Sequence, residues 1–247
     1  MKVIDRSTYR DQDGSIALNE RMRGTWQFGL SWNKEIQAQE KLIDHLHAHL
    51  DNQYTLIRDV FLPKLEIPIP LVLIGPTGVR VFYASALQGI YRARESSWLV
   101  LDKRSRQYRP SQPNLIKRTA LMSFAILNFL NSKGYPLEVV EPILFFSDPN
   151  IHVDAKQPAV RIVLTDGVDR FIEKFSQSPQ QLDSPLVKRI SDTFADLQFD
   201  PDDQEPQEKL AVGDFELFRW QWLVLAILVI LLLCMMIIFI LIIFMVN

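Results

Sequence analysis

Few of the acids and histidines in this chain are spaced for chemistry, and most of those that are fall on one stretch, 33–50. It carries Glu40 and then His45, His47 and His49. Residues four apart share a helix face, and His45 and His49 have the spacing by which zinc proteases grip their metal. No Glu follows His45, however, and no third ligand is evident. The three histidines therefore read as a solvated polar face, and no metal is expected. All histidines but His152 lie here, so no Ser/His/Asp set suggests itself. Gly75-Pro76-Thr77-Gly78 has the glycines of a phosphate cradle but lacks the Gly-Lys-Ser/Thr ending and runs into a strand. Nothing in the chain calls for a cofactor.

The elements that would position these residues are legible from periodicity. Ile36, Ile43, Leu46 and Leu50 form one apolar stripe, so 33–50 reads as an amphipathic helix. Residues 55–63 read as a strand stopped by Pro63. In 69–89 two runs of β-branched and aromatic residues flank Gly75, Pro76 and Gly78, which predicts a hairpin. Alternate strand residues share a face, so Tyr83 and Ser85 point the same way. Further strands are expected at 97–101, 139–146 and 159–164. Helices are expected at 115–130, with Leu121, Phe124, Leu127 and Leu130 as its buried stripe, at 168–175, and at 182–197 with Ser184-Pro185 near its start. Strands alternating with helices imply an α/β core.

Over 33–176 this pattern resembles the nuclease-related domain (NERD) family. The corresponding hairpin there carries an Asp on its first strand, then Gly-Pro-x-Gly-Val, then Glu-x-Lys on the second, and a Gly-Glu pair lies on the preceding helix. The resemblance places the Asp at Pro70, the Glu at Tyr83 and the Lys at Ser85. The Gly-Glu pair reads Gln39-Glu40, so Glu40 alone matches. Trp98 stands where the family often has a tryptophan, whereas 110–114 matches the family's Asn-Pro-x-x-Gln element only loosely. The resemblance implies a restriction-endonuclease-like core, a mixed sheet flanked by helices. Magnesium needs carboxylate oxygens, and Pro70, Tyr83 and Ser85 offer none, so the expected domain is a pseudoenzyme that binds or scaffolds. The alternative is a nuclease in which Glu66 or Asp59 completes a site with Glu40; on a continuous strand Glu66 would lie roughly 13 Å from Pro70.

The formal charge of −2 conceals a basic stretch, 80–118, holding Arg92, Arg94, Lys103, Arg104, Arg106 and Arg109 among others. With Tyr91, Trp98 and Tyr108 interleaved it is a candidate contact for nucleic-acid phosphates, for anionic lipid heads, or merely a solvated strand edge. The balance reverses over 183–216, which is acidic.

Residues 223–246 contain no charge and would run about 36 Å as a helix, enough for a bilayer core of roughly 30 Å. Trp220 and Trp222 precede them as interfacial anchors, beside Arg219. The N-terminus has no apolar signal region. The expectation is a single-pass, tail-anchored membrane protein with a cytoplasmic N-terminal domain, its partners being the lipid bilayer and an unidentified protein or nucleic acid. The sole cysteine, Cys234, rules out an intramolecular disulfide. The expected organisation is an N-terminal extension at 1–32, the α/β domain at 33–197, an acidic linker at 198–219 and a transmembrane tail at 220–247. Trp26, Phe28 and Trp32 suggest that the extension docks on the domain.

Overall fold

The computed structural model describes residues 1–7, 31–62, 68–197 and 227–228. The chain forms two compact units, Met1–Gln207 and Glu208–Asn247. In the second only Ile227 and Leu228 are described; both are helical and exposed. Trp26, Phe28, Glu66, the linker, Arg219, Trp220, Trp222 and nearly all of the apolar tail lie outside the described residues. Among the described residues no helix is long and apolar enough to cross a membrane.

The first unit is a mixed α/β fold with two mixed sheets. In chain order it contains β1 (Lys2–Asp5), α1 (Trp32–His49), β2 (Thr55–Val60), β3 (Ile69–Gly75), β4 (Gly78–Ser85), β5 (Gly89–Glu95), β6 (Ser97–Asp102), β7 (Gln107–Pro110), α2 (Leu115–Ser132), β8 (Glu141–Phe146), β9 (Ile151–Pro158), β10 (Arg161–Leu164), α3 (Val168–Ser176) and α4 (Ser184–Ala195). The larger sheet runs β1-β2-β3-β4-β8-β10 and the smaller β7-β6-β5-β9. The hairpin β3–β4 is antiparallel, whereas β8 lies parallel to β4 and needs α2 in its crossover. The same neighbours continue into the second sheet, where β9 lies parallel to β5. Ser147 N–H donates to the Ser85 carbonyl at 3.0 Å and Gly89 N–H to that of Asn150 at 3.1 Å, stitching the bend between the sheets.

Every described residue of β2, β3 and β4 is buried, and alternation sends their side chains into two cores. Leu56, Leu71, Leu73, Phe82, Ile143 and Phe145 pack under α1 and α3. Ile57, Val72, Val81, Leu144 and Phe146 pack with α2 and α4 on the opposite face. Gly75 is required at the hairpin turn because a Cβ there would lie 2.0 Å from the Tyr54 ring. Trp98 ties the small sheet to the core, stacked on Tyr91 at 4.7 Å and on Phe146 at 5.7 Å. Two helices open on side-chain caps: Asn114 accepts from Lys117 N–H at 3.1 Å and Asp183 from Leu186 N–H at 2.8 Å.

The expected stripe on α2 is corrected. Leu121 and Phe124 are 65% and 59% exposed, and the helix buries Leu115, Ile116, Thr119, Met122, Ser123, Ile126 and Leu130. This helix is apolar on most sides, so periodicity could not choose its face; the buried hydroxyls make that face tolerable. Thr119 donates to the Leu115 carbonyl at 2.8 Å, and Ser123 donates to that of Val140. Strands β1, β5, β7 and β9 go beyond the sequence reading, and the strand expected at 139–146 starts at Glu141, leaving Val139 exposed.

The exposed and buried stripes separate by stability. Ile126→Ala should cost about 2–5 kcal/mol, whereas Leu121→Ser and Phe124→Ser should each stay within about 0.5 kcal/mol. Urea unfolding of the full chain in detergent measures both; the reverse ranking would restore the expected stripe.

Candidate functional site

The site begins with a proline inside a central strand. Pro70 has no N–H for the ladder, and the β2–β3 register skips it, pairing Arg58 with Leu71 and Val60 with Ile69. Asp59 lies at the skipped level, buried, with a left-handed φ of 50°. The β3–β4 register ends at Leu71–Phe82, so Tyr83 falls on the level of Pro70. Pro70, Tyr83 and Ser85 are all buried. The hairpin thus brings the expected positions together as a closed wall.

Glu40 reaches this region from α1 and meets a residue the sequence reading passed over. Arg58, 4% exposed, donates to both carboxylate oxygens, at 2.7 and 3.3 Å. Its Nε lies 3.5 Å from Asp5, a charge contact without hydrogen-bond alignment. Burial alone would lower the guanidinium pKa, but the hydrogen bond and charge of Glu40, with Asp5 and Asp59, outweigh it and hold the pKa above its ordinary value. Three carboxylates thus share one fixed organic cation. The Arg58-Asp59 pair within the short strand Thr55–Val60 was the available signal, since a buried Arg needs a nearby acid.

Tyr83 is tied into a second polar group. Its hydroxyl donates to Glu35 at 3.3 Å, and the Arg118 guanidinium lies 5.1 Å over its ring. Burial raises the Tyr83 pKa, so the phenol is neutral at physiological pH. Ser85 accepts the Leu87 N–H at 3.3 Å and ends the strand. Among the described residues no three His, Cys, Asp or Glu side chains stand ready to hold a metal ion.

The basic stretch divides. Arg92 is paired with Asp154 at 2.8 Å and lies 3.9 Å over the Tyr108 ring, and Arg109 lies 3.3 Å from Asp102. Arg94 is exposed at the β5–β6 end of the small sheet, while Lys103, Arg104 and Arg106 are exposed at its opposite, β6–β7 end. Six residues of strand, roughly 17–20 Å, separate the two groups.

Comparison with known families, curated proteins and solved structures returns no match.

Burial, against the weaker pull of Arg118 and the Tyr83 hydrogen bond, raises the Glu35 pKa above its ordinary 4.5. Ionised Glu35 therefore disfavours the fold; that cost is complete above the raised pKa and vanishes below 4.5, where folded and unfolded states are both protonated. Glu35→Gln should raise the melting midpoint at neutral pH, with the gain shrinking as pH falls toward 4.5. Thermal melts across pH check this, and a pH-independent gain would contradict it.

Proposed function

We propose that the chain is a membrane-tethered, catalytically inactive NERD-like domain that binds or scaffolds a partner beside the bilayer. The carrying observation is the bidentate Glu40–Arg58 pair. The one acid retained from the expected nuclease site is neutralised by a guanidinium that also faces Asp5 and Asp59, so the charge a magnesium ion would supply is already present. The order helix, strand, hairpin, crossover helix and parallel strand supports the restriction-endonuclease-like reading. The apolar sequence 223–246 supports the tether. Relocation of catalysis to Asp59 finds less support, because Asp59 is one of the acids raising the Arg58 pKa. A nucleic-acid track along the basic stretch is weakened by its division between two ends of the small sheet.

Two measurements test the proposal. The full chain in detergent should show no magnesium- or manganese-dependent nicking of supercoiled or single-stranded DNA above background; nicking that Glu40→Ala abolishes would overturn inactivity. The chain should remain with membranes through alkaline carbonate extraction, and truncation before Trp220 should release it. Release of the intact chain would overturn the tether.

A further inference from the structure

His45 and His49 do acquire a third partner, from a helix 124 residues away. Asp169, in the first turn of α3, places Oδ1 2.7 Å from His45 Nδ1 and 3.4 Å from His49 Nε2. Both helices are fixed by the packing of Leu42, Leu46, Val168 and Ile172 beneath them, so the three side chains spring from rigid backbone. All three stay within reach of solvent, with side chains 33%, 26% and 55% exposed.

We propose that His45, His49 and Asp169 bind a first-row divalent cation such as zinc, clamping α1 to α3. A helix-to-helix ion pair needs only His45, whose 2.7 Å contact is a complete hydrogen bond. The second imidazole at 3.4 Å adds little as a hydrogen bond, yet it stands at a ligand-to-ligand separation that suits a metal. Tetrahedral zinc, with bonds of about 2.0–2.2 Å to imidazole nitrogen and carboxylate oxygen, sets its ligand atoms about 3.4 Å apart. The set is not a ready site as it stands, and its His45 contact is closed as a hydrogen bond. Widening it by well under an ångström, through side-chain rotation, opens the centre. Two imidazoles and one carboxylate favour zinc over magnesium, which prefers oxygen ligands. Water completes the coordination, or Glu173, one helical turn beyond Asp169 on the same side of α3.

The full chain in detergent, freed of metal with chelator, is titrated with Zn²⁺ against a chromophoric competitor and separately with Co²⁺. The expected result is one cation per chain, a tetrahedral cobalt spectrum and a higher melting midpoint. His49→Ala and Asp169→Asn should each weaken binding about tenfold or more. His47→Ala, on the same helix but exposed and outside the contact, should bind as the parent does. Asp169→Asn retains an acceptor for His45, so its unliganded melting midpoint should stay close to that of the parent and separate lost binding from lost fold. Absence of uptake by the folded parent would overturn the proposal, as would equal weakening by His47→Ala, which would assign binding to scattered surface histidines. The readout is independent of nuclease activity.

Discussion

Both layers of the fold depend on the parallel pairing of β8 with β4. Within β8, Ile143 and Phe145 face the core under α1 and α3, while Leu144 and Phe146 face the core shared by α2, α4 and the small sheet. One strand, buried over its last four residues, thus joins two hydrophobic clusters, and its extension as β9 beside β5 carries the same pairing into the second sheet. Parallel strands cannot be joined by a tight turn, so the chain must travel through the small sheet and α2 before β8 can close the core. That crossover explains why a helix with apolar residues on most of its surface is needed there. It also explains why its buried face is chosen by β8, β4 and β6, and not by its own periodicity.

The polar interior follows from how this core handles charge. Arg58 projects from a fully buried strand, and an unpaired guanidinium there would cost several kcal/mol. Glu40, Asp5 and Asp59 neutralise it, drawing β1, α1 and β2 together around a single cation. A two-point grip by Arg also fixes the orientation of Glu40, which a monodentate Lys would not do. The acids are therefore structural before they are anything else. A few residues on, Arg6 reaches the Phe194 and Ala195 carbonyls at the end of α4, so the N-terminal strand and the last helix of the unit are also joined through arginine.

The parts of this structure that were legible in the sequence are those governed by local rules. The hairpin was marked by Gly75, Pro76 and Gly78, the first helix by its apolar spacing, and the start of α4 by Ser184-Pro185. Strands β5, β7 and β9 were not legible because GIYRARE, QYRP and IHVDAKQP lie in the thinner, more exposed sheet, where one face is polar and alternation is blurred. Leu121 and Phe124 misled because hydrophobicity alone does not say which side a neighbour will cover. At the site, the lack of carboxylates at Pro70, Tyr83 and Ser85 was visible from residue type. Its consequences were not, since the Arg58–Glu40 and His45–Asp169 contacts join residues brought together only by tertiary packing.

That distinction bears on whether the hairpin lines an open cleft or a closed wall. An open cleft would leave the side chains at positions 70, 83 and 85 exposed. Here the three residues are built into the core: Pro70 breaks the ladder at its level, the Tyr83 hydroxyl is held by Glu35 under the Arg118 guanidinium, and Ser85 closes the end of its strand. A carboxylate placed at position 83 would set an anion beside Glu35, whose ionisation is already disfavoured by burial, and would remove a ring that packs in the core. An Asp introduced at position 70 would lie level with Asp59, in a region whose cation is already engaged. Carboxylates at these two positions would require undoing the packing that stabilises this hairpin, so the absence of ligands there and the stability of the hairpin are one physical arrangement.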